Sequence, residues 1–222
     1  MEKKELSHDE SLAIINSMIS RAKDSFHGTG VGTMMWGVVI AVCSLVKLSE
    51  VHFGYKLPFD IYLLALFAIL PQIIISAKEK KSQKARSFED TFVSPIWIGF
   101  GVCTFLLVLI INILFANYIP LYNEYKALTG HAPAFSLREY IMPLFLLLYG
   151  LPTFITGVGC HFKPMFWGGI VCWVSCVLAV FTEYRIDLLL TAFSAIAAWF
   201  IPGLMMEKEY RRYKKSGGAM NV

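Results

Sequence analysis

Few side chains in this sequence combine the type and the spacing that chemistry requires. Cys172 and Cys176 stand four residues apart, which puts both thiols on one face of a helix, where they could help hold a soft metal ion. No histidine and no third thiol stands at ligand spacing beside them. The better-supported reading makes them small apolar packing residues, and it extends to Cys43, Cys103 and Cys160. His8, His27, His52, His131 and His161 are scattered without metal-ligand spacing. GTGVG at 28–32 and GVG at 157–159 have the look of phosphate loops, but no strand precedes them and no Gly-Lys-Ser/Thr follows. Gly28 and Gly32 read better as positions of close helix packing. No nucleophile stands beside a visible base, so the sequence predicts no catalytic residue, no cofactor and no metal.

A second group of residues could act by position rather than by reactivity. Gln72, Asn112, Tyr149, Thr153 and Ser194 are candidate interhelical hydrogen bonders, and Thr156, Ser175 and Thr191 are of the same kind. Pro71, Pro152 and Pro202 are candidate hinges. Each follows Leu or Ile inside an apolar run, removes one backbone donor and frees a carbonyl one turn earlier, so a helix can bend there. Their repeated placement predicts hinges around one cavity.

The elements that must position these residues follow from composition. Hydrophobic residues make up 56% of the chain of 222 and charged residues 16%. Soluble domains carry about 25% charged residues, so this chain cannot clothe a water-facing surface. Uncharged stretches run over 25–46, 61–77, 91–123, 140–162, 164–182 and 188–206. A spanning helix takes about 20 apolar residues, which predicts an all-α, polytopic bundle of six transmembrane helices near 28–46, 60–77, 92–115, 140–159, 165–182 and 187–206. The end of the third stretch, FANYIPLYN, is assigned to the interface, and the segment 116–139 to an external loop resting there on Tyr118, Tyr122 and Tyr125. Trp36, Trp97 and Trp167 mark the odd spans, each with glycine and then cysteine shortly after. Asp60 before the second span parallels Asp187 before the sixth. The pattern is compatible with three tandem helical hairpins, 28–77, 92–159 and 165–206. It is also compatible with apolar segments sharing a small alphabet.

Charge sets the orientation. With the N-terminus inside, 15 of the 20 lysines and arginines fall on the inner side and five on the outer, which predicts cytoplasmic termini in a plasma (inner) membrane. The basic clusters Lys78–Arg86 and Lys208–Lys215 then meet anionic headgroups, and the net charge of +4 needs no nucleic acid. Residues 1–27 form no span and show no cleavable signal. Ser7 to Glu10 reads as a capping box before an apolar face of Leu12, Ile15, Ile19, Ala22 and Phe26. That is an amphipathic cytoplasmic helix, lying on the inner leaflet or binding a partner. Residues 28–206 form the membrane domain, and 207–222 a basic cytoplasmic tail.

The stretches SLAIINSMISRAKDSF, LPQIIISAKEKK, YGLPTFITG with FKPMFWGGIVCW, and the late AWFIPG occur in an order that resembles a group of small uncharacterised bacterial integral membrane proteins. The resemblance implies an inner-membrane protein of six spans and brings no activity and no site residues. The spans hold no Asp, Glu, Lys, Arg or His at mid-depth, which argues against a proton-coupled pump and against acid–base catalysis there. The expectation is a non-enzymatic accessory or sensor protein acting through membrane or cytoplasmic partners, with homo-oligomers left open. The alternatives are a small permease or channel for an uncharged or weakly polar solute and, behind it, an intramembrane enzyme acting on lipid.

Overall fold

Each apolar run becomes helix because a chain without nearby charges or turn residues satisfies its backbone groups most completely along its own axis. The computed structural model describes residues 29–82, 88–133 and 135–215, and among them there is no strand. The expected amphipathic helix of 1–27, Gly28 and the last seven residues lie outside the described residues, as does the end of the Lys78–Arg86 cluster.

Helix α1, Val31–Phe53, is bounded by two glycines in the left-handed region, Gly30 (φ 67°) and Gly54 (φ 73°). It outruns the expected end at residue 46. Lys47 and Glu50, three residues apart, close an ion pair of 2.9 Å on the helix surface, and the Gly54 N–H then caps the Glu50 carbonyl. Asp60 accepts the Tyr62 N–H at 3.1 Å and starts a 3-10 turn, Ile61–Leu63, that leads into α2, Leu64–Ser82.

Helix α3, Phe88–Thr129, corrects the expectation most. Its 42 residues rise about 63 Å, twice the hydrocarbon thickness. The expected external loop from 116 is helical as far as Thr129. Asn112 and Asn117 donate to the carbonyls four residues back, Val108 and Ile113, so neither competes with the helix. Pro120 removes a single bond, and the helix ends at Gly130 (φ 71°). The Tyr118 hydroxyl then ties down the returning chain at the Phe135 carbonyl, 2.8 Å.

A 3-10 turn, Leu137–Tyr140, opens α4, Ile141–Gly159. A three-residue turn joins it to α5, Lys163–Ala179. The last part is α6, Tyr184–Ala195, a π-helical turn, Ile196–Phe200, and α7, Ile201–Lys215, so the expected tail begins as helix. Five helical stretches among the described residues are long and apolar enough to cross a membrane. The fifth expected span, α5, has 17 residues and reaches about 26 Å, the low edge of a crossing.

Packing divides the helices into two kinds. α4 lies most extensively on α5, and α1 on α6. Glycines permit the close approaches: a methyl on Gly157 would overlap the Phe166 backbone of α5, and one on Gly37 would lie 2.6 Å from the Phe200 nitrogen in the π turn that continues α6. These pairings cross the limits of the three expected hairpins, whose own partners touch less extensively. α2 and α3 lie outside this centre, and no residue of the apolar stretch of α3 is buried within the chain.

Candidate functional site

The π turn gives the fold its most specific interior contact. A π turn carries one residue more per turn than the flanking helix, and the Ile201 N–H returns to Ile196 rather than to Ala197. Pro202 follows and has no N–H to offer Ala198. The widened turn carries Trp199, 2% exposed, against α4. Its Nε1–H donates to Thr153 Oγ1 at 2.8 Å, and the Thr153 hydroxyl donates to the Tyr149 carbonyl at 2.8 Å. Three residues on, Thr156 Oγ1 accepts the Trp97 indole of α3 at 3.2 Å. Tyr149 lies 4.9 Å from the Trp199 ring, and Phe100 stands near both, at 6.0 and 6.3 Å between centroids. Two indoles on two threonines of one helix face therefore form an aromatic box with every indole donor satisfied.

A second polar line lies on α6. Asp187, Thr191 and Ser194 fall on one helix face at four- and three-residue spacing, and all three are buried. Asp187 Oδ1 accepts the Thr182 hydroxyl at 2.6 Å, whereas Oδ2 has no partner among the described residues. Thr191 donates back to the Asp187 carbonyl at 2.8 Å, and the Ser194 hydroxyl is without a partner among the described residues. Nearby elements supply Ser44, buried on α1, whose hydroxyl shares a 3.1 Å bond with the Tyr62 hydroxyl. Arg138 lies 4.3 Å from the centre of the Tyr184 ring at the same end of α6.

The expected site residues scatter over this architecture. Tyr149 and Thr153 belong to the aromatic box, and Pro152 and Pro202 are buried within three residues of the Trp199–Thr153 bond. Pro71 is exposed on α2, so the three expected hinges do not share one environment. Ser194 lies on the α6 line. Gln72 donates to Ser76 of its own helix at 3.1 Å, and its buried Oε1 rests against Gly32 without a bond among the described residues. Asn112 is exposed and, among the described residues, bonds only within α3. Cys172 is buried, Cys176 donates to the Pro143 carbonyl at 3.3 Å, and no metal-holding group of His, Cys, Asp or Glu occurs among the described residues.

Two features escaped the sequence reading. In the sequence Asp187 stands out only as a repeat mark, although its spacing to Thr191 and Ser194 signals a polar helix face. Asp60, its expected counterpart, is exposed and serves as a cap. The π turn has no signal beyond Pro202. An apolar groove of about 500 Å³ lies between α3, α4 and α5, lined by Cys103, Leu106, Ile110, Leu144, Leu151 and Trp173 among others. No family model, no curated protein and no solved structure matches the chain.

Proposed function

We propose that this chain is a multi-pass protein of the plasma (inner) membrane with cytoplasmic termini, acting without catalysis as an accessory or sensor protein through partners. The observation that carries the proposal is the contrast between a filled centre and a bare α3. Leu146, Met165, Leu188 and Thr153 are fully buried in the centre, while α3 lays Ile98, Phe105, Ile113 and Ile119 open on its surface. Membrane helices associate through close packing and interhelical bonds rather than through expulsion of water, so a long helix left bare is free to pack on another protein. The basic segments beginning at Lys78 and Lys208 would rest on anionic headgroups and hold α2 and α7 at the inner leaflet. A photo-reactive residue at Ile98 or Phe105 in native membranes should form a discrete protein adduct, and one at Val177, an exposed position on α5, should not. Adducts to lipid alone from every α3 position would sink the proposal.

The buried line of Asp187, Thr191 and Ser194 favours a second reading, a permease or channel for an uncharged or weakly polar solute. Two of its polar atoms lack partners among the described residues, and a passing solute could supply them. Purified chain in sealed vesicles should then raise solute flux, and Ser194→Ala should change it. Flux equal to that of empty vesicles would remove this reading and leave the first intact.

A further inference from the structure

We propose that a second copy of this chain docks on the outward face of α3, the two Asn112 carboxamides bonding across a twofold axis normal to the membrane. The proposal rests on the reading of α3 as a docking helix and names its partner. Phe105, Val108, Asn112 and Ile119 lie four, seven, eleven and eighteen residues beyond Gly101, which places all five on one side of the helix. All five are exposed. Cys103, Leu106, Leu107 and Ile110 form the opposite side, turned to α4 across the groove. The outward face also keeps a seven-residue rhythm, with Ile98, Phe105, Asn112 and Ile119 in one position and Gly101 and Val108 in the other. That is the pattern by which two parallel helices interlock.

Asn112 selects the occupant. Its Nδ2 gives one hydrogen to the Val108 carbonyl at 2.7 Å, and its side chain makes no other bond among the described residues. One N–H and the amide oxygen remain, inside the expected span and toward its outer end. Acyl chains offer them nothing. A carboxamide is both donor and acceptor, so two of them related by a twofold axis satisfy each other. Only a second copy inserted in the same orientation is certain to bring that group to the same depth. The glycines agree. Every other helical glycine among the described residues would drive an added methyl against a neighbour, whereas Gly99 and Gly101 meet nothing within 4 Å. Packing within the chain does not need a glycine at 101, but a closely approaching second helix does.

The test uses the full chain in vesicles of phosphatidylethanolamine and phosphatidylglycerol at low protein density. Subunits are counted by single-molecule photobleaching. The wild type should show two, and Asn112→Leu should weaken the pair roughly three- to fifteenfold, the range of bonds between membrane helices. Gly101→Leu, which meets open space in the single chain, should weaken it as well while leaving thermal stability unchanged. With the native cysteines replaced, Val108→Cys should cross-link on oxidation and Leu106→Cys should not. Single subunits at all densities, wild-type pairing in both α3 variants, or equal cross-linking at 106 and 108 would overturn the proposal. A chain that counts as single in vesicles yet still cross-links another protein from α3 in native membranes refutes self-pairing alone. Loss of both signals refutes the docking role of α3 too.

Discussion

Trp199 and Thr153, 46 residues apart in sequence, share the shortest buried interhelical bond described: the indole N–H donates to Thr153 Oγ1 at 2.8 Å, and the Thr153 hydroxyl in turn donates a hydrogen bond to the Tyr149 carbonyl. Both ends are fully used, which makes the pair asymmetric to mutation. Thr153→Val leaves a buried indole donor unpaired and should lower the thermal midpoint in detergent by an amount equivalent to about 1 kcal/mol. Trp199→His or Phe changes packing as well, but Trp199→Phe leaves the Thr153 hydroxyl bonded to Tyr149. In the Trp199→Phe background, Thr153→Val should therefore have less effect than it has alone. Additive losses in the two variants would show that the bond contributes nothing of its own.

Asp187 is the one fully buried carboxyl described, with one oxygen bonded to Thr182 and the other bare. Asparagine has nearly the same shape, can accept the Thr182 proton and carries no ionisable group. Asp187→Asn should thus leave the thermal midpoint unchanged or raise it, since the cost of burying a charge disappears. Thr182→Val should lower it by stranding the bonded oxygen. A large loss of stability in Asp187→Asn would mean that the bare oxygen has a partner that only a carboxylate can hold.

The turn between α4 and α5 places His161 at φ 53°, the only non-glycine residue in the left-handed region among those described. The Phe162 N–H reaches the Gly157 carbonyl at 2.9 Å and the His161 N–H reaches Val158 at 3.2 Å, the paired bonds of a Schellman cap. Glycine enters this region without the steric cost that other residues bear, about 1 kcal/mol or slightly more. His161→Gly should accordingly raise the thermal midpoint, and His161→Val should lower it. A loss on substitution by glycine would point to a bonding role for the imidazole.

What the sequence made legible, and what it did not, has one physical origin. The helices could be read because uncharged runs of this length have no other way to satisfy their backbones. Which helices form the centre could not be read, because lipid tails and a protein interior are equally apolar and leave no periodic polar face to mark the outside of α2 or α3. The same blindness made Pro71 look like Pro152 and Pro202, though one is exposed and two are buried. Helix ends differ from expectation where charge marks the expected boundary, at Lys47, and where the aromatic stretch FANYIPLYN is assigned to the interface, after residue 115. Polar residues were the legible part of the site. Tyr149, Thr153 and Ser194 do lie in the interior, whereas Asn112 does not.

The orientation proposed from charge can be tested at helix ends. In a cysteine-free background, Ser82→Cys at the end of α2 and Gly217→Cys should be shielded from an impermeant thiol reagent in intact cells. Thr129→Cys, at the far end of α3, should be labelled. Labelling at 82 from outside would overturn the arrangement with both ends inside.

The prolines should divide by environment. Pro71 is exposed, so Pro71→Ala restores a donor to α2, removes no buried ring and should leave stability unchanged or higher. Pro152→Ala and Pro202→Ala also restore a donor, but each empties part of a packed site and should lower stability. Pro202 has a further consequence. An N–H at residue 202 could bond the Ala198 carbonyl and draw the π turn toward regular helix, which would rotate Trp199 away from Thr153. Thr153→Val should then have a smaller effect in the Pro202→Ala background than in the native chain, and an unchanged one in the Pro71→Ala background. Thermal midpoints of the four combinations decide it. An equal Thr153→Val penalty in all backgrounds would mean that the π turn is held by its packing and that Pro202 does not set the position of Trp199.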